Sequence, residues 1–306
     1  MNTGLIKEYL PSERDYDYEV VCGSVKRNYP SYFRLLDENT GTQKDQGDIG
    51  ACVAMTITSI AEEWWRRQLG TREEHSEGFV YGAFRSDKST NSGLSVAIAF
   101  QKWVEIGTIP KKYFDMLIEM PEIKKIVARH PEFKELAQRY RLNAYSRLRT
   151  NGTSTRDEQI KDALTKYQYG LVAVDDAHCI QLVGWDDENN KYILKDSYGT
   201  DRGDNGYVYK KKDTIEQVWL PIFEEVQFPF EDVPVDAWYY KDVKNMYFAG
   251  MMNGTSETTF EPDRPITRAE AAALINRVLK SNDDRAKLLN DIFNEKLDWQ
   301  KELLSD

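Results

Sequence analysis

The chain has 306 residues, of which 41% are hydrophobic and 30% charged, and a net charge of -10. That length holds one domain of about 200 residues with a smaller companion, and the acidic balance argues against nucleic acid as partner, because phosphate binding needs clustered Lys and Arg. Three cysteines, Cys22, Cys52 and Cys179, form neither a CxxC pair nor an even-numbered framework. No zinc site or disulfide-stapled fold is therefore indicated, although a single Cys22–Cys179 bridge stays open.

Residues 1–29 are polar and aromatic without a period and read as an extended N-terminal extension; their start shows neither the basic nor the apolar part of a secretory signal. No apolar run reaches the roughly 18 residues of a membrane span. The Gly-rich turn GTQKDQGDIGA leads into CVAMTITSIAEEWWRRQL, whose apolar residues recur every three or four positions, so a helix is expected over 52–69 with Cys52 at its start. A second helix is expected at 95–106, ended by Gly107 and Pro110, and a third, charged one at 121–140. His75 and His130 lie in polar surroundings and read as surface residues. From 171 the texture changes: LVAV, HCIQLVGW, KYILKDS and GYVYKKK are strand-like, and DDENN after Trp185 reads as a hairpin turn. A helical half followed by a sheet half is an α+β pattern.

An acidic, Pro-containing connector at 222–232 precedes a unit over 230–279. There Asp236 is expected to cap a helix burying Trp238, Val243, Met246 and Phe248, broken by Gly250 and Asn253–Gly254. Thr267, with Glu270 in a capping box, is expected to cap a second helix that places Ala271, Leu274, Ile275 and Val278 on one face. Residues 280–306 read as a C-terminal amphipathic helix with Leu288, Leu289, Ile292, Phe293 and Leu297 on one side.

Chemistry concentrates on Cys52. A thiol at a helix N-terminus becomes a strong nucleophile when an imidazolium stands nearby. Of the three histidines, His178 opens an apolar strand that holds its ring still. If that strand pairs with the next across DDENN, Asp196 returns beside His178 and can accept its N–H, fixing the tautomer. Gln46, six residues before Cys52, can offer its side-chain amide to an oxyanion, with the Cys52 backbone N–H as second donor.

Residues 43–54, QKDQGDIGACVA, resemble the active-site segment of the papain-like cysteine peptidases, with the Gln-to-Cys spacing falling on Gln46 and Cys52. AHCIQLVGW (177–185) resembles the family's histidine strand. LKDSYGTDRGDNGY (194–207) is similar to its Asn-Ser-Trp-Gly segment through Ser197, Gly199, Gly203, Gly206 and Tyr207. SGLSVAIAFQKWVEIGTIP (92–110) resembles the glycine pair and helix lining the substrate cleft, which implies peptide contact at Ser92 and Gly93. The resemblance spans 30–225 and implies a two-lobed fold, one lobe helical and one of antiparallel strands. The chain departs from the family at Val53, at Asp196 (for Asn), at Tyr198 (for Trp) and in the three-residue link Asp175–Asp176–Ala177 before His178, where the family has a longer loop.

Residues 230–279 resemble an S-layer-homology module. This implies non-covalent attachment to bacterial secondary cell-wall polysaccharide, with Arg268 and Trp238 at the saccharide; a guanidinium fork suits carboxylates, and pairing of Arg268 with Asp263 is the local alternative. One module rather than three implies either a homotrimer or a weak binder. The function expected is a cysteine-type endopeptidase, with no cofactor, acting on peptides or proteins at the cell surface, outside the cell or on a phage particle. The alternatives are an inactive papain-like binding or structural protein of a surface or phage assembly, and a peptidoglycan amidase.

Overall fold

The computed structural model describes residues 5–6, 16–23, 25, 28–37, 40–69, 73–85, 93–115, 132–151, 153–224, 228–248, 251–280 and 282. They fall into two compact units, one within 1–66 and 72–224 and the other within 67–71 and 225–306.

The larger unit opens with β1 (Leu5–Ile6), α1 (Tyr18–Cys22) and β2 (Tyr32–Arg34). The expected extended lead-in is thus corrected in part: Asp17 caps α1, its carboxylate accepting from the Glu19 N–H. Among the described residues four helices follow: α2 (Cys52–Leu69), α3 (Glu77–Phe84), α4 (Val96–Glu105) after the short β3 (Leu94–Ser95), and α5 (Glu132–Ala137). Ser95 caps α4. Gly107 ends it at a positive φ of 93°, where an added Cβ would lie 1.9 Å from the Ala137 carbonyl oxygen, so only glycine fits. The charged helix expected at 121–140 is seen as α5 and a 3₁₀ turn at Gln138–Tyr140; its earlier part, including His130, lies outside the described residues.

The second half is β4 (Ala144–Leu148), α6 (Arg156–Tyr167), β5 (Leu171–Val174), β6 (Cys179–Asp186), β7 (Lys191–Lys195), β8 (Tyr207–Lys211) and β9 (Gln217–Ile222). The strands form an antiparallel sheet in the order β4-β9-β5-β6-β7-β8, with β2 also on β6. The expected hairpin across 187–190 is present, with Asp186 opposite Lys191 and Gln181 opposite Lys195. Aromatic rings join helices to sheet: Trp64 of α2 stacks on Phe223 at 4.9 Å, and Phe100 of α4 on Trp219 of β9 at 5.4 Å.

This core also contains charge. Lys44 pairs with Glu62 and, at 2.5 Å, with Glu77, all three buried. Burial pushes the Glu62 carboxyl up, while the two carboxylates outweigh burial at Lys44 and raise it. Glu63, wholly buried, accepts from the N–H groups of Gly41 (3.0 Å) and Gly170 (2.7 Å) and from Gln181 Nε2 (2.7 Å). His75 corrects its expected surface placement: its ring is fully buried, with Nδ1 2.8 Å from Thr108 Oγ1, and burial lowers its pKa to about 3.

The smaller unit packs Phe230, Val233 and Val243 with Phe228, Tyr239, Tyr240, Tyr247 and Phe260. Its first helix, α7, runs Tyr240–Phe248, three residues later than an Asp236 cap predicts. Trp238 lies before it, 87% exposed rather than buried, and Met246 and Phe248 are half-buried. The second helix, 268–280, has the expected capping box: Glu270 N–H donates to Thr267 Oγ1 (3.2 Å), and Glu270 Oε2 accepts from Thr267 N–H (2.8 Å). The C-terminal helix expected beyond 280 lies outside the described residues, save residue 282.

Candidate active site

Two main-chain segments meet along the candidate site. Gln46 N–H donates to the Ser197 carbonyl (2.9 Å), Gly199 N–H donates to the Lys44 carbonyl (2.9 Å), and Asp45 bridges to Tyr198. The turn before α2 is thereby zipped to the loop after β7. Gly206, at φ 87°, lets that loop double back: its carbonyl accepts from Asp196 N–H (2.8 Å), and an added Cβ would strike the Gln43 side chain at 2.4 Å. Gln43 Nε2 in turn donates to the Asp196 carbonyl at 2.6 Å.

Cys52 is the first residue of α2 and is fully buried. Burial pushes its thiol up to about 12, against the pull of the neighbouring Cys179 backbone N–H. The thiol therefore lies beside the residue that follows His178. No disulfide links Cys22 to Cys179: both are free, Cys22 sharing a hydrogen bond with the Tyr167 hydroxyl (3.1 Å) and Cys179 buried with its thiol pushed well up by burial.

His178 stands at the end of the tight β5–β6 link. Asp175 builds this link by accepting from the N–H groups of His178 (2.7 Å) and Ala177 (3.0 Å) and pairing with Lys210. The His178 Nε2 lies 2.8 Å from Asp196 Oδ1, while its buried Nδ1 has no hydrogen-bond partner among the described residues. Burial raises the Asp196 carboxyl, but the hydrogen bond and charge of His178, the Ser197 N–H and Arg202 together hold it below the ordinary carboxylate value. Tyr198 stacks on the imidazole, ring centroids 5.4 Å apart.

Gln46 is buried with its amide oriented: Oε1 accepts from Ser197 Oγ (2.6 Å), and Nε2 donates one hydrogen to the Ile49 carbonyl (2.8 Å). The second amide hydrogen has no partner among the described residues. Cys52, His178, Asp196 and Gln46 are thus brought to one place. Gly93 is half-buried just before β3, whose Leu94 and Ser95 pair in parallel with the chain's own Leu5 and Ile6; Ser92 lies outside the described residues. Roles for Ser197 and Arg202, which support these groups, are not evident from sequence, although both fall inside the 194–207 segment; Tyr198 stands where the family resemblance has its tryptophan.

In the smaller unit Arg268 is exposed and makes no ion pair among the described residues, because Arg264 takes Glu270 (2.6 Å) and Glu261 (3.4 Å).

The model of the papain family cysteine proteases matches residues 33–221, and the chain belongs to that family. The S-layer homology domain matches residues 229–272. A viral cathepsin of Heliothis zea nuclear polyhedrosis virus is 26% identical over 223 residues, covering 68% of this chain and 59% of that protein, so the chain spans less than two thirds of this relative. The surface-layer 125 kDa protein of Lysinibacillus sphaericus is 41% identical over 56 residues, 18% of this chain and 5% of that protein. Two solved structures share the fold. Xylellain, a cysteine protease from Xylella fastidiosa, has a TM-score of 0.58 at 18% identity, over 73% of this chain and 96% of that one. Digestive procathepsin L2 proteinase from Tenebrio molitor larval midgut has 0.55 at 16%, over 72% and 78%. The fold is the α+β papain-like one, with an S-layer homology domain C-terminal to it.

Proposed function

We propose that the chain is a cysteine-type endopeptidase acting on peptides or proteins at a bacterial cell surface, where its C-terminal module binds cell-wall polysaccharide. The observation that carries this reading is the state of His178: Nε2 is engaged by Asp196, and Nδ1 is buried and unpartnered among the described residues, with the Cys52 thiol beside the next residue. In the proposed reaction Nδ1 takes the Cys52 proton, and the thiolate attacks the peptide carbonyl. The remaining Gln46 amide hydrogen and the Cys52 N–H hold the oxyanion. The imidazolium then protonates the leaving amine, and water attacks the thioester with His178 as base. The buried, protonated thiol fits a nucleophile that is charged only when His178 takes its proton.

The exposed Arg268, which makes no ion pair among the described residues, and the exposed Trp238 support contact with an anionic saccharide by a guanidinium fork and an aromatic face. The family matches support a surface setting.

Two observations favour a second reading, a binding protein on the same fold: Cys52 has no exposed surface, and Leu5–Ile6 occupies the edge next to Gly93. Labelling with an epoxide thiol-peptidase inhibitor separates the two. One adduct per chain, mapped to Cys52 and lost in His178→Ala, is expected of the peptidase. An unlabelled Cys52 in protein also trimmed of residues 1–15 contradicts it.

A further inference from the structure

Asp196 stands where the family resemblance has an asparagine, and this places a full negative charge against the imidazole. The carboxylate is only 3% exposed, so that charge is poorly screened. Its Oδ1 accepts from His178 Nε2 and from Ser197 N–H, both at 2.8 Å. Its Oδ2 accepts from Arg202 Nε at 3.2 Å. The Arg202 guanidinium also lies over the Tyr198 ring, 5.9 Å from its centroid, and that ring stacks on His178. Arg202 thus touches two of the groups that hold the imidazole.

Its placement is built into the loop. The Arg202 carbonyl accepts from Gly206 N–H (2.8 Å), and the Gly206 carbonyl accepts from Asp196 N–H (2.8 Å), so the backbone that fixes Asp196 also sets Arg202 opposite it. Positive φ at Gly199, Gly203 and Gly206 makes this reversal.

The other charged and titratable groups around the pair do not supply the same balance. Asp175 is committed to the His178 and Ala177 N–H groups and to Lys210. Lys195, adjacent in sequence, reaches the Gly41 carbonyl and the charge of Glu63 instead. Asp45 accepts from Gly47 N–H, Asp48 acts on Tyr198 as a further negative charge, and Cys52 carries a negative charge only as thiolate. Among the described residues Arg202 is the permanent cation paired with Asp196, beside the titratable His178.

We propose that Arg202 is a positioning residue of this centre: it offsets the charge that Asp196 introduces, so that Asp196 orients His178 without clamping its protonated form. The inference rests on the peptidase reading. Without Arg202 the unbalanced carboxylate holds the imidazolium more tightly, so the protonated ring persists to higher pH and returns its proton to the leaving amine less readily.

The test is the pH dependence of Cys52 alkylation by iodoacetamide in the full chain, quantified by mass spectrometry of the Cys52 peptide, together with hydrolysis of fluorescein-labelled casein. For Arg202→Ala the upper limb of the alkylation profile moves up by about half a pH unit, a modest shift because the guanidinium is half exposed, and casein hydrolysis near neutral pH falls about threefold to tenfold. Arg202→Lys recovers most of the profile. In an Asp196→Asn background, Arg202→Ala produces no further shift. Superimposable profiles for wild type and Arg202→Ala overturn the proposal, as does a shift undiminished in the Asp196→Asn background. A wild-type Cys52 that reacts no faster than Cys22 at any pH, with no casein cleavage, defeats the peptidase reading itself and this inference with it.

Discussion

The two units bury their polar groups differently. In the larger one charges sit deep inside and are held by many partners: Glu63 alone accepts three hydrogen bonds, and His178, Asp196, Gln46 and Ser197 are all buried. In the smaller one the core is a few aromatic and aliphatic residues, the ion pair of Arg264 with Glu270 is on the surface, and the candidate ligand residues Trp238 and Arg268 face solvent. Buried polar groups fix geometry and are costly to disturb, whereas exposed ones contribute little to stability and remain available to a ligand. Polar substitutions should therefore cost the two units very different amounts.

The largest effect is expected at Glu63. Glu63→Ala leaves the N–H groups of Gly41 and Gly170 and the Gln181 amide unpaired in the core, and should cost about 3–5 kcal/mol in denaturant unfolding of the larger unit; a loss under 1 kcal/mol would erase the contrast. His75 comes next. Its folded pKa of about 3 lies below the unfolded value of about 6.5, so the unfolded chain binds the extra proton in between. Stability that is present above about pH 6.5 is then lost as pH falls toward 3, by up to a few kcal/mol. His75→Gln should flatten that slope, and an unchanged slope would place the acid sensitivity elsewhere. Ser197→Ala frees the Gln46 amide to turn and should lower kcat about tenfold with little change in KM, close to 1.4 kcal/mol of transition-state stabilisation. Thr267→Ala removes an exposed cap in the smaller unit and should cost about 1 kcal/mol there, read by the thermal transition of that unit.

The parts of this picture that sequence reveals are local. The helix of Cys52 follows from its apolar period, the β6–β7 hairpin from DDENN, and the Thr267 cap from a Glu three residues on. The order Gln46, Cys52, His178, Asp196 is enough to suggest chemistry. What escapes is polar burial. TREEHSEG looks solvated because its neighbours are charged, yet Ser76 caps α3, Glu77 pairs with Lys44, and His75 packs edge-on against Tyr140. Trp238 errs the other way: a large apolar ring reads as core and stands in solvent. The strand QVWLPI is hidden because Pro221 interrupts its pattern, while its partners β4 and β5 are distant in sequence. The α6 capping box of Thr155 and Glu158 is a local signal of the same kind as the Thr267 cap. The roles of Ser197 and Arg202 depend on a main-chain zipper between segments some 150 residues apart, which no short window contains.

The central claim is that Cys52 and His178 form one reacting pair. Turnover of a mixed peptide library by wild type, Cys52→Ala and His178→Ala, read by mass spectrometry, addresses it most directly. New internal cleavages with wild type that fall at least a thousandfold in each variant are the predicted result. Cleavage that persists in Cys52→Ala, or its absence from wild type with residues 1–15 removed, would contradict the account.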